Sequence, residues 1–213
     1  MKVEIWSDVM CPFCYIGKRK FEQALEKFEH KDDIEVEWKS FQLNPDLEDQ
    51  PYKSIYEYLA ESKGKSLEWS KQMHAQVVEM AKTVGLDYNF DIAKVANSFH
   101  AHRLLQLAKS KKKGSEMEER LFHAYFTEGA MISDPATLKK LALEVGLPEK
   151  RVDKIFSGMD YADQVYREIH EAQQLGATGV PFFVIDRRYG ISGAQDSQLF
   201  LETLEKAYAE RGK

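Results

Sequence analysis

Cysteine is nearly missing: in 213 residues it occurs twice, as Cys11 and Cys14. That rules out a disulfide-stapled secreted scaffold, and a closed zinc site finds no second Cys-x-x-Cys and no closely following His-x-x-x-His. There is no apolar run near the ~18 residues of a membrane span. A large excess of either charge is missing too. With 35 acidic against 30 basic side chains the net charge is -5, and no basic block interleaved with aromatics suggests a nucleic-acid surface. No repeat period or low-complexity tract occurs. Strand-like residues begin at Lys2, which leaves no room for a signal sequence ahead of them, so the expected compartment is the cytoplasm.

What is present is a globular composition, 43% hydrophobic, sufficient for a sizeable core. "KVEIW" (2–6) and the alternating "IEVEWKSF" (34–41) read as strands. Between them Phe21, Leu25 and Phe28 fall at helical spacing. A right-handed crossover through that helix makes the two strands parallel. Residues 50 to 175 read as helix after helix, including one over 91–109, with breaks at "SKGKS", "KKKGSE" and "VGLPEK". In "KSKKKG" (109–114) the lysines suit a helix C-terminus and Gly114 the turn that ends it. After Gly179 come a strand at "VPFFVID", a short strand at "ISG", and a helix from about Asp196 to Ala209. This order implies one α/β domain built from both ends of the chain, 1–50 and 176–213, with a helical domain, 51–175, inserted in its middle.

The two cysteines sit where the first strand hands over to the first helix. Unpaired N–H groups and the helix dipole favour a thiolate there, lowering the pKa of Cys11 from ~8.5 and making it a nucleophile. Cys14, one turn on, is placed to attack a mixed disulfide at Cys11 and release the partner. Pro12 suits the first helical position, which needs no N–H donor. Phe13 offers the sulfur no hydrogen bond, so Cys11 is expected to be less acidic than in the most oxidising enzymes. Half of a zinc site, or two inert core cysteines, are the structural readings that stand beside this one.

Taken together, "SDVMCPFCYIG" (7–17), "FQLNPD" (41–46), "ANSFHAHRLLQLA" (96–108), "GATGVPFFVID" (176–186) and "ISGAQ" (191–195) resemble the DsbA family of thioredoxin-fold proteins. The resemblance spans nearly the whole chain. It is to the FrnE-like branch, itself similar to hydroxychromene-carboxylate isomerases and kappa-class glutathione transferases. It implies a thioredoxin fold interrupted by an inserted all-helical domain. It also implies a cis peptide at Pro181 whose loop faces the cysteines, leaving the backbone of Val180 free to pair with an extended peptide. Without it, Pro181 merely starts a strand. Asp8 matches an acidic position of the branch and is a candidate to move the Cys14 proton, or else a cap or surface residue. Asn97, His102 and Arg103 match its N-S-x-x-A-H-R-L pattern and are expected to be structural or peripheral to a cleft. In the glutathione-using relatives the region of Gln195 and Asp196 holds the γ-glutamyl end of the tripeptide; here the two residues serve equally as a helix cap.

The resulting expectation is thiol–disulfide exchange on protein or peptide disulfides or small thiols, requiring no cofactor and no metal, with glutathione as the one candidate ligand. The substrate-facing residues would be Pro12, Phe13, Val180, Pro181, Gln195 and Asp196. A glutathione-dependent isomerase or transferase is the alternative, although such relatives typically carry serine at position 11. A peptide-binding chaperone using the apolar surface around Phe13 is the third reading. The additional C-terminal cysteine motif of some FrnE-like proteins is absent, as is any signal for a nucleic-acid or membrane partner.

Overall fold

The computed structural model describes residues 1–211. Strand β1 (Lys2–Ser7) leads into helix α1 (Pro12–Lys27) and returns as β2 (Glu35–Ser40). β2 pairs in parallel with β1 from Lys2↔Glu35 to Ser7↔Ser40. The end of the chain supplies β5 (Phe182–Ile185) and β6 (Tyr189–Ser192), both in antiparallel pairing, and helix α9 (Ser197–Ala209). The sheet order is β2-β1-β5-β6, so the first strand lies at its centre, with strands from the two ends of the chain on either side.

Because β1 is central, both of its faces are covered and its residues are buried almost without interruption. Val3 and Ile5 pack with Phe21, Phe183 and Phe200 under α1 and α9. Trp6 faces the other side with Val184 and Ala172, and its Nε1 donates to the Glu168 carbonyl at 2.8 Å. Between the two sheet halves run α2 (Ile55–Lys63), α3 (Leu67–Lys82), α4 (Phe99–Ser110), α5 (Gly114–Phe126), α6 (Pro135–Glu144), α7 (Glu149–Ser157) and α8 (Ala162–Gln174). Their core includes Leu104, Leu107, Leu121, Phe122 and Phe126, and it takes in Cys14, Tyr15 and Ile16 from the first turn of α1. Among the described residues no helix is long and apolar enough to cross a membrane.

Three local readings change. The helical stretch also contains a two-stranded antiparallel ribbon, β3 (Gln50–Ser54) with β4 (Lys94–Val95). The helix expected over 91–109 begins only at Phe99. Asn97 ends the irregular segment before it: Oδ1 accepts the Phe99 N–H at 2.8 Å, while Nδ2 donates to the carbonyls of Pro45 and Leu47. Those bonds tie the start of α4 to the 41–49 loop, a long-range constraint that periodicity does not carry. Gly114 opens α5 instead of ending α4; the turn is made by Lys112, which takes φ 57°.

Arg103 on α4 is 1% exposed. Its guanidinium donates to the carbonyls of Ile155 and Gly158 at 2.5 Å and of Asp160 at 2.9 Å, closing the open end of α7. It is a structural residue, as expected. Arg103→Met should lower the unfolding free energy by about 3 kcal/mol, since three carbonyls lose their donor. Arg103→Lys should restore only part of it, because one ammonium cannot reproduce the planar fork. Urea unfolding monitored by tryptophan fluorescence checks both.

Candidate active site

Cys11 is the N-cap of α1, with extended backbone (φ -89°, ψ 110°) and Pro12 at the first helical position. Its N–H donates to the Asp8 carbonyl at 2.9 Å and its carbonyl accepts from the Cys14 N–H at 3.0 Å. The Pro12 carbonyl takes the Tyr88 hydroxyl at 2.7 Å. Both cysteines are free thiols. The Cys11 Sγ lies 3.4 Å from the Val180 carbonyl, across the cis Val180–Pro181 peptide. Pro181 is in turn anchored by the Gly193 N–H on its carbonyl at 2.8 Å. Gly17 explains how closely this loop approaches α1. A Cβ there would sit 3.0 Å from Pro181 Cγ and 3.5 Å from Ala194 Cα, so any larger residue would crowd the proline against the helix.

Both thiols are buried, Cys11 at 3% exposure; Cys14 is fully buried. Burial pushes its pKa up, reinforced by the hydrogen bond and charge of Cys11, against the opposing pull of the Asp8 backbone N–H and the Ser7 hydroxyl. Cys11 instead borders a cavity of about 370 Å³. On one side lie Met10, Pro12 and Phe13; on the other are Leu43, Ile55 and Tyr58 with Trp69, Met73 and Val77 from α3. Phe13 is 38% exposed, an apolar side chain held out beside the thiols. A larger depression of about 700 Å³, lined by Lys39, Gln106, Glu168 and Glu171, contains neither cysteine. Its charged walls are paired with one another.

Asp8 is not a surface residue, and it borders the same cavity as Cys11. It is 1% exposed, and its carboxylate accepts the N–H groups of Leu43 at 2.8 Å and Met10 at 3.3 Å. What it presents to Cys14 is its backbone N–H. Oδ1 lies 3.4 Å from His102 Nε2, in a histidine that is wholly buried and, among the described residues, has no hydrogen bond at either ring nitrogen. Gln195 donates to the Ser192 carbonyl, and Asp196 is the N-cap residue of α9 without a side-chain cap bond, 3.6 Å from Lys20 Nζ. Neither borders the cavity. No group of three or more His, Cys, Asp or Glu side chains among the described residues is placed to hold a metal.

Two residues that sequence reasoning passed over complete the site. Ser7, the last residue of β1, donates its hydroxyl to Glu118 Oε1 at 2.7 Å, and Glu118 is fully buried. Burial raises the Glu118 pKa to about 7, overcoming the opposite pulls of Ser7, His102 and Lys18, with nearby Asp8 adding to the rise. The next residue behaves in the reverse way. Burial also opposes ionisation of Glu119, but donors from Arg19, Lys18 and Tyr15 outweigh it and bring it down to about 2. A signal was available: Glu118 interrupts the apolar face formed by Met117, Leu121 and Phe122, and an acid there has to be buried.

A parallel β1–β2 pair, an antiparallel β5 opening on a cis-proline, and a cysteine pair at the tip of the intervening helix define a thioredoxin-fold protein. The chain belongs to the DSBA-like thioredoxin domain family, whose pattern it matches over residues 2–205. It is 31% identical over 213 residues to the uncharacterised protein YwbO of Bacillus subtilis (strain 168), covering 99% of this chain and 97% of that one. Among solved structures it is similar to a probable DsbA oxidoreductase of Streptomyces coelicolor (38% identity, TM-score 0.94, 100% of this chain and 92% of that one). The cytosolic disulfide reductase DsbM of Pseudomonas aeruginosa, solved with GSH, shares the fold at 18% identity (TM-score 0.66, 98% and 96% covered). So does 2-hydroxychromene-2-carboxylate isomerase, at 15% (TM-score 0.66, 98% and 95% covered). The expected DsbA relationship and the thioredoxin fold with inserted helices are therefore both found.

The Asp8 contacts yield a direct prediction. In Asp8→Ala the Leu43 amide loses its acceptor and should exchange with deuterium roughly tenfold faster or more. Asp8→Asn, which keeps an oxygen in place, should lie between the two. Hydrogen exchange read by mass spectrometry over 41–47 separates these outcomes.

Proposed function

We propose that this chain is a thiol–disulfide oxidoreductase in which Cys11 is the attacking sulfur and Cys14 the resolving one. Cys11 attacks a substrate disulfide, releasing one half as a thiolate and holding the other as a mixed disulfide. Cys14 then attacks Cys11, frees the second half and closes the Cys11–Cys14 bond. The observation that carries this reading is the difference in setting between two buried thiols: Cys11 lies on the wall of a cavity, and Cys14 does not. Inert core cysteines would need no opening beside them.

The cavity bears on the choice of substrate. Its walls are mostly aliphatic and aromatic, so a disulfide with an apolar or aryl group next to its sulfur gains burial there, while a small hydrophilic one does not. Val180 fits the role of backbone partner for an extended substrate, since its carbonyl already receives the Cys11 thiol. Location in the cytoplasm, reduction as the net direction, and glutathione as the thiol that regenerates the pair belong to the same proposal. For glutathione the support is the turn at Gln195 and Asp196, which meets α1 and Pro181 at Gly17 and has Lys20 beside it.

The test is reduction of insulin and of model disulfides. Cys11→Ser should abolish turnover, and Cys14→Ser should accumulate a mixed disulfide visible by mass spectrometry. Full activity in Cys11→Ser would falsify the assignment. For the cavity, Met73→Trp should raise KM for an aryl disulfide roughly tenfold while leaving 2-hydroxyethyl disulfide unaffected; equal effects on both would remove the substrate preference.

A further inference from the structure

The second step of exchange needs Cys14 as a thiolate, yet this thiol is fully buried and its surroundings hold its proton on. The polar groups that act on it include the Cys11 sulfur, the Asp8 backbone N–H and the Ser7 hydroxyl. In the mixed disulfide the Cys11 sulfur is bonded to substrate and has no charge with which to receive a proton. A backbone N–H cannot accept one. The Ser7 hydroxyl can, provided it hands its own proton on, and its Oγ lies 2.7 Å from Glu118 Oε1.

We propose that Glu118, supplied by α5, is the acceptor of the Cys14 proton, with Ser7 passing it between them. The proposal rests on the exchange reading above. As the Cys14 thiol gives its proton to Ser7 Oγ, the Ser7 hydroxyl proton moves to Glu118 Oε1. The electron pair left on Cys14 forms the bond to Cys11 Sγ. The bond from Cys11 to the substrate sulfur breaks, and the substrate leaves as a thiolate with that pair. Over both steps the substrate disulfide gains two electrons and the cysteine pair loses two. The same heavy atoms stay hydrogen-bonded afterwards, the Ser7 hydroxyl now donating to sulfur and the Glu118 carboxyl to Ser7.

The surroundings of Glu118 suit this role, and those of the nearby carboxylates Glu119 and Asp8 do not. Ser7 and Asp8 face it from β1 and the residue after it, Lys18 from α1 and His102 from α4. Their balance against burial leaves the carboxyl near pH 7, where both forms are populated. Glu119 is occupied by Arg19, Lys18 and Tyr15. The Asp8 carboxylate is held by the N–H groups of Met10 and Leu43.

The test uses the reduced full chain and Ellman's disulfide in stopped flow, from about pH 5 to about pH 9. Cys11 releases the first nitrothiobenzoate and Cys14 the second, so Cys14→Ser should show one phase only. In wild type the second phase should rise with pH through an inflection near 7, as Glu118 becomes ionised and able to accept. Glu118→Gln should leave the first phase unchanged, slow the second roughly tenfold or more, and abolish that inflection. Ser7→Ala, which keeps the carboxylate but breaks the path, should slow the second phase as well; it carries the test alone should Glu118→Gln not fold by circular dichroism. A second phase with wild-type rate and pH profile in either folded variant overturns the proposal while leaving the exchange reading intact. A wild type that releases no second equivalent fails the exchange reading, and the proposal with it.

Discussion

Helix α1 is shared between two cores, and the position of its first turn follows from that. Phe21, Ala24 and Phe28 fasten its later turns to the sheet, while Cys14, Tyr15 and Ile16 enter the packing of the inserted helices. The Tyr15 ring stacks on Phe122 at 4.8 Å between centroids, and Tyr88 holds the Pro12 carbonyl. A helix gripped on both sides has little freedom to slide, so the depth at which each sulfur sits is set by packing. Cys11 lies at the edge of the shared volume, beside the cavity. One turn later, Cys14 lies inside it. What separates the two buried thiols is thus the cavity beside Cys11.

The insertion does more than cover one face of the sheet. It contributes α3 and the 55–59 segment to the cavity wall, His102 to the buried polar cluster behind the thiols, and both Glu118 and Glu119. The two glutamates are neighbours in sequence with opposite fates. Three donors reach Glu119, and it stays ionised even at low pH. Among the described residues only Ser7 donates to Glu118, and the cost of burying its charge is large enough to bring protonation into the neutral range. A similar use of buried charge, with a structural outcome, is seen at Glu168. It receives the Ser40 N–H, the Gln106 amide and the Lys109 ammonium, locking α8 and α4 onto β2. Whether a buried carboxylate braces the fold or remains able to take up a proton depends on how many donors meet it.

Membership in the DsbA-like family accounts for the frame: the sheet order, the helix-tip cysteines and the cis-proline loop. It says less about the cavity and the buried acid, which depend on side chains of the inserted helices in this chain.

Much of the frame was legible in the sequence because it is written in local terms. Alternation marked the strands around Val3 and Val36, a proline following Cys11 marked the helix start, and glycine with proline before "FFVI" marked the return to the sheet. Where the signal was long-range, the reading slipped. Asn97 stops a helix that its neighbours favour because it is bonded to residues some fifty positions away. By itself, then, the sequence determined that a cysteine pair stands at the tip of a helix in an α/β frame, since that requires only near neighbours and the hydrogen-bonding rules of a helix end. The tertiary structure alone decided which sulfur faces the cavity, what lines it, and which carboxylate lies within reach of the other. Those outcomes depend on distances between segments a hundred residues apart, and only packing sets them.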